Sequence, residues 1–174
     1  MSVTLGQPVP DFTAQATSNT TVKLSDLVGK KFVLFFYPKD NTPGCTSEGQ
    51  AFKDLYSQFT DSETLVFGVS RESLKSHENF RTKYGFPFEL ISDPDETLCN
   101  LFDVIKLKSM YGKEYMGIER STFLVDRNGI LQHEWRKVRI KNHVVDVLQA
   151  AEMIDTEMPP EDPNAKTKEK EAQK

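Results

Sequence analysis

Cysteine is scarce in this chain. Cys45 and Cys99 are the two among 174 residues. Two are too few for a disulfide scaffold, and with no Cys-x-x-Cys pair the usual dithiol oxidoreductase pattern is excluded. Free thiols in a reducing compartment, and so a cytoplasmic location, are the expectation. Histidine is almost as rare. His77, His133 and His143 lie far apart and join no cysteine or acidic ligand pattern, so no metal or other cofactor site is expected. Long apolar runs are missing, and Met1-Ser2-Val3-Thr4-Leu5-Gly6 carries no basic stretch followed by an apolar one. Neither a membrane span nor a secretory leader is therefore expected. No sign of charge dominates. The formal net charge of −4 gives nucleic acid or an anionic membrane no global attraction. The basic run Arg136, Lys137, Arg139 and Lys141 is short and lacks interleaved aromatics, so it reads as a solvated strand end or helix start.

The length suits one domain with a sizeable core. Gln7 to Phe12 reads as extended because each proline disfavours helix at the residue before it. Thr21 to Leu24 alternates like a short strand, and Ser25 is placed to cap a single turn ending at Gly29. Phe32 to Tyr37 is apolar on both alternations, the pattern of a strand covered on both sides. A helix is expected from about Pro43 to Phe59, a strand over Leu65 to Ser70, and a helix from Leu74 to Tyr84 stopped by Gly85. A strand follows over Phe88 to Ile91, and a short helix opens at Asp93-Pro94-Asp95-Glu96. Ser121 to Asp126 and Ile130 to Trp135 form a hairpin through Asn128-Gly129. The last helix spans about Asn142 to Ile154 and packs Val144, Val147, Leu148 and Ala151, with Glu152 toward solvent. Alternating strands and helices imply an α/β fold with a mixed central sheet and helices on both faces. The expected domain spans residues 1–156. Residues 157–174 are a charged tail that cannot offset its ordering entropy by burial and is expected to be disordered.

The order strand, Gly/Pro turn, helix places Cys45 in the first helical turn. Thr42 is a suitable cap and Pro43 suits the first helical position, so Cys45 falls near the third. Unpaired N–H groups there favour a negative sulfur by roughly 0.3–1 kcal/mol when exposed and up to about 2 when buried. Ionisation alone has limited leverage, because an ordinary thiol is already a few per cent thiolate at neutral pH and its complete ionisation gains about thirtyfold at most. A fast thiol chemistry also needs fixed donors at the transition state. Thr42, the amides of Gly44 and Cys45, and an arginine from elsewhere are the candidates. Read only as a residue type, Cys45 could equally be a small buried hydrophobe.

Pro38, Thr42 and Cys45 together resemble the Pro-x-x-x-Thr-x-x-Cys signature of peroxiredoxins. The run from Tyr37 to Glu48 resembles the bacterioferritin-comigratory (Q-type) subfamily. So do Met110-Tyr111-Gly112-Lys113 and Gly117-Ile118-Glu119-Arg120-Ser121-Thr122-Phe123. The resemblance covers about residues 3 to 154. It implies a thioredoxin-like fold and reduction of hydrogen peroxide and alkyl hydroperoxides without metal or flavin. By position, Cys45 resembles the peroxidatic cysteine, Thr42 the residue whose hydroxyl bonds thiolate or peroxide, and Pro38 the proline that shapes the pocket. Arg120 resembles the arginine that favours the thiolate and orients the peroxide. Glu48 is either a support for that arginine or a solvated first-turn acid.

The chain also departs from that pattern. Many Q-type relatives carry a resolving cysteine five residues after the peroxidatic one, where Gln50 stands here, or in the following helix, where Arg81 stands. Cys99 is the remaining candidate resolver; as a bare residue it reads as a packed or half-exposed helix cysteine. A one-cysteine mechanism with an external thiol, thioredoxin or a glutathione-linked partner, is therefore the expectation. A monomer is expected, with a dimer as the alternative. Two non-enzymatic readings stay open at this point: a peroxide sensor or holdase, and an inert interaction module on the same fold. Phe86, Phe88, Met110 and Tyr111 either line an exposed patch or complete the core.

Overall fold

The structure is a computed structural model that describes residues 2–157. The expected tail lies, beyond Glu157, outside the described residues. Nine strands and six helices follow one another among those described. They run β1 (Thr13–Ala16), β2 (Thr20–Lys23), α1 (Leu24–Leu27), β3 (Lys31–Phe36), α2 (Pro43–Asp54), α3 (Tyr56–Asp61), β4 (Thr64–Ser70), α4 (Leu74–Tyr84), β5 (Glu89–Ser92), α5 (Thr97–Leu101), β6 (Ile105–Met110), β7 (Lys113–Ile118), β8 (Ser121–Val125), β9 (Leu131–Arg136) and α6 (His143–Glu157).

Seven strands form one mixed sheet in the order β2-β1-β5-β4-β3-β8-β9. β3 pairs parallel with β4 and antiparallel with β8. Every residue of β3 is buried, as its continuous apolar run implies. Strand alternation then divides the core in two. Phe32, Leu34 and Phe36 face one layer, with α1, α5 and Ile118. Val33, Phe35 and Tyr37 face the other, with Cys45 and Phe52 of α2, Phe80 of α4 and Val144 to Ile154 of α6. Helices therefore cover both faces, as expected of a thioredoxin-like fold. Cys45 and Cys99 belong to opposite layers.

Local readings differ from the structure in several places. The helix expected over Pro43 to Phe59 breaks at Leu55 into α2 and α3, with Phe52 and Phe59 both kept in one layer. Ser25 lies inside α1, which begins after Lys23 without a side-chain cap. The Asp93 segment is a turn rather than a helix start. Glu96 adopts φ +63°, and the Asp93 carboxylate reaches over it to accept from the amides of Leu98 and Cys99 at 3.1 and 2.8 Å. Two features were not anticipated, the strand β1 and the hairpin β6–β7. The latter turns through Tyr111 and Gly112, both at positive φ, as a two-residue hairpin requires. The proposed aromatic patch separates: Phe86 and Phe88 are core residues, while Met110 and Tyr111 stand exposed at the hairpin tip.

Gly68 in β4 leaves room for three side chains of the Cys45 layer. A Cβ there would come 2.8 Å from both Leu90 Cδ2 and Phe35 Cζ, and 3.1 Å from Tyr37 Cε1. Gly68→Ala should thus overpack the layer and cost about 1–3 kcal/mol, read as a lower urea midpoint at unchanged m-value.

Candidate active site

β3 ends beneath the start of α2, and the turn between them carries Pro38 to Thr42. Cys45 is the third residue of α2 and is 2% exposed, within the layer that holds Tyr37 and Phe52. The first helical hydrogen bond closes from Thr46 N–H to Thr42 C=O at 2.8 Å, so the amides of Gly44 and Cys45 precede it and remain at the open helix end. Thr42 caps by backbone conformation alone. Its hydroxyl donates to Lys39 C=O at 2.9 Å and makes no side-chain cap.

Arg120 arrives from the far end of the chain through sheet pairing. Phe36 lies opposite Ser121 in the β3–β8 ladder, so one step further along that register brings Arg120 to the end of β3. Its backbone is fixed by Val138 N–H, which donates to Arg120 C=O at 3.0 Å. The guanidinium then divides its donors. Nη2 points to Cys45 Sγ at 3.4 Å, and Nη1 donates to Glu48 Oε1 at 2.7 Å. Gly44 leaves room for this approach, since a Cβ there would lie a tight 3.2 Å from Arg120 Nη2.

Glu48 is fully buried, so the solvated-acid reading does not describe it. Its Oε2 has no hydrogen-bond partner among the described residues. Burial pushes its carboxyl up to about 7, against the pull of Arg120. Burial opposes the Arg120 charge as well, but Glu48 and Cys45 outweigh it and the guanidinium is held more firmly protonated. Lys108 of β6, absent from the candidate residues read from sequence, stands nearby. Burial and the Arg120 charge lower its pKa while the Cys45 charge opposes them, and its Nζ donates to Ile118 C=O at 2.7 Å. Finding it requires the β6–β7 register. The alternation around Tyr111-Gly112 is the one sequence signal that points there.

The turn before Cys45 also rests on a buried polar group that sequence spacing concealed. Asp40 accepts from Tyr37 Oη at 2.6 Å and Ser76 Oγ at 2.7 Å, and its Oδ2 lies 2.6 Å from His77 Nδ1. Burial raises the Tyr37 pKa well above its ordinary value, so the phenol stays a donor. Burial would raise Asp40 too, but its bonds to His77, Tyr37 and Ser76 win and lower it. His143 is buried as well; its Nε2 lies 2.8 Å from Thr122 Oγ1, and burial lowers its pKa to about 4. Cys99 is fully buried on the other face. Burial and then the Asp93 carboxylate push its thiol far above the ordinary value, disfavouring a thiolate.

The Glu48 shift has a pH consequence. Its ordinary value is 4.5, so between about 4.5 and 7 the folded state holds more protons than the unfolded one. That contribution is complete below the lower value and is lost as pH rises through 7. Stability should therefore fall by about 2–4 kcal/mol from pH 4.5 to 8 through this group. Urea titrations across that range should show a downward slope that Glu48→Gln largely removes.

Residues 5–134 match the AhpC/TSA family. Peroxiredoxin Bcp of Bacillus subtilis (strain 168) is 49% identical over 149 residues, covering 86% of this chain and 95% of that protein. Peroxiredoxin Bcp of Xanthomonas campestris pv. campestris is 49% identical over 140 residues, covering 80% and 88%. Among solved structures, the Xanthomonas campestris bacterioferritin comigratory protein, studied for its alkyl peroxide reduction activity, superposes with a TM-score of 0.81 at 45% identity. That match covers 87% of this chain and 98% of the other. A PrxQ mutant from Xylella fastidiosa gives 0.84 at 40% identity, covering 89% and 99%. With its fold and its sequence both matched over most of their length, the chain belongs to the AhpC/TSA family and, within it, to the Q-type peroxiredoxins, which are thiol-dependent peroxidases.

Proposed function

We propose that Cys45 reduces hydrogen peroxide and alkyl hydroperoxides in a one-cysteine cycle completed by an external thiol. The observation that carries this reading is the Arg120 guanidinium, which spans Glu48 and the Cys45 sulfur from the end of β8. A planar, permanently charged group with several fixed donors suits both a thiolate and the oxygens of a peroxide. The Cys45 thiolate attacks the distal peroxide oxygen. The O–O bond breaks, an S–O bond forms, and the departing alkoxide or hydroxide takes a proton to leave as alcohol or water. Cys45 is then a sulfenic acid, oxidised by two electrons. Arg120 and the amides of Gly44 and Cys45 stabilise the charge that develops on the oxygens. Thr42, its hydrogen donated to Lys39 C=O, leaves its hydroxyl oxygen to accept from the hydroperoxide O–H, and Pro38 closes the mouth.

Reduction follows by two thiols. The first displaces water from the sulfenic acid to give a mixed disulfide with Cys45. The second releases Cys45 and leaves a disulfide of the two external thiols. Thioredoxin or a glutathione-linked protein in a reducing cytoplasm fits this chemistry. The separation of Cys45 and Cys99 into opposite core layers supports an external thiol. A disulfide requires Cα atoms within about 7 Å, and here a seven-stranded sheet stands between the two layers.

Cys45→Ser should abolish peroxide turnover, read by peroxide consumption with a thiol reductant. Arg120→Ala should slow single-turnover oxidation about 10²–10³-fold, the usual cost of losing one oxyanion donor, while circular dichroism stays unchanged. Cys99→Ser should keep both half-reactions near wild type. Mass spectrometry after one equivalent of peroxide should find a Cys45 sulfenic acid. A rapid Cys45–Cys99 bridge would overturn the one-cysteine reading.

A further inference from the structure

The external thiol must reach a sulfur that is 2% exposed, so the start of α2 has to leave its seat once in each cycle. What holds it there differs on its two sides. Beyond Cys45, α2 is locked by packing: Phe52 is fully buried, and a Cβ at Gly49 would lie 2.5 Å from Phe86. Before Cys45, the turn is held to α4 largely by polar bonds. Asn41, at φ +61°, accepts from Tyr84 Oη at 3.1 Å and Lys83 Nζ at 3.3 Å. Asp40 meets Ser76 and His77 at the opposite end of the same helix. Between these attachments lies an open cleft of about 400 Å³ lined by Asp40, Asn41, Ser76, Asn79, Phe80 and Lys83. A segment held with few buried apolar contacts is of the kind that opens locally before the rest of the fold.

His77 is the rigid end of this attachment. Its Nε2 lies 2.9 Å from Ile91 C=O of β5, and a carbonyl only accepts, so Nε2 carries a proton and ties the ring to the sheet. The other nitrogen faces Asp40, and the side chains of the pair are 0% and 2% exposed. Opening the turn hydrates Asp40 but strips buried His77 of its partner, and a buried polar group left without a hydrogen-bond partner is costly.

We propose that the buried hydrogen bond between Asp40 and His77 is the latch of the Cys45 segment, and that His77 is a positioning residue that sets the balance between peroxide oxidation and reduction by an external thiol. The closed latch keeps Cys45 beside Arg120 for oxidation. The open latch exposes the sulfenic acid, from which the thiol displaces water as above. The inference rests on the external-thiol reading.

The test measures the two half-reactions separately in the full chain by rapid mixing. Reduced protein is mixed with hydrogen peroxide, and the preformed sulfenic acid with glutathione. His77→Gln and Asp40→Asn should each slow oxidation about tenfold and speed reduction about tenfold, a modest share of what breaking a buried pair can release. Amide exchange over residues 40–47 should accelerate while β3 and β4 stay protected. Val69→Ala, a core variant of reduced global stability, should move neither rate. Unchanged rates in folded latch variants, or two rates that fall together, would overturn the proposal. If neither variant folds, wild-type amide exchange decides, and a 40–47 segment that opens only with global unfolding overturns it. A wild-type sulfenic acid captured by Cys99 instead of glutathione sinks the external-thiol reading, and the latch with it. Normal wild-type cycling with unresponsive variants sinks the latch alone.

Discussion

A buried carboxylate and a guanidinium hold the site together. Glu48 has no access to water, and one of its oxygens has no hydrogen-bond partner among the described residues. Burying such a group is expensive, and Arg120 is what offsets the expense. The reverse dependence is as strong, because Glu48 directs the guanidinium so that its other nitrogen reaches Cys45. The helix end alone offers a negative sulfur at most about 2 kcal/mol. A fixed guanidinium at 3.4 Å adds a full charge and a directed donor. The β3–β8 register, the short turn over Pro38 to Thr42 and the missing side chain at Gly44 all serve to let those two groups meet.

The two cysteines show how environment separates identical side chains. Cys45 stands at an open helix start beside a cation. Cys99 is enclosed beside the Asp93 carboxylate, which already accepts from its amide. At Cys99 burial and the Asp93 carboxylate outweigh the pull of Arg71, whereas at Cys45 the Arg120 guanidinium points directly at the sulfur. The sheet between their layers turns a pair that the composition leaves available into one that the fold keeps apart.

Much of this was legible along the chain. β3, β4, α4 with its Gly85 stop, and the β8–β9 hairpin follow from local patterns: continuous apolar runs, helical periodicity, and Asn128-Gly129. The helix start at Pro43, and with it the third helical position of Cys45, follows likewise from turn chemistry. The α5 boundary did not, because Asp93 caps from beyond the Glu96 turn, a bond that spans five and six residues. The β6–β7 hairpin was obscured because its strands are largely exposed, so the alternation of lysines with apolar residues in β6 marks no fully buried face.

The sequence by itself determined the fold class, the family and a thiol at a helix start, since each is written in contiguous residues or in a motif of fixed spacing. Only the tertiary structure decided that Glu48 is a buried partner of Arg120, that Lys108 stands near enough to feel the Arg120 charge, that Asp40 and His77 meet in a buried hydrogen bond across 37 positions, and that Cys99 lies behind the sheet. The physical reason is that burial and Coulomb attraction depend on distances in space. Strand register and layer assignment set those distances, and neither is encoded in the spacing between residues along the chain.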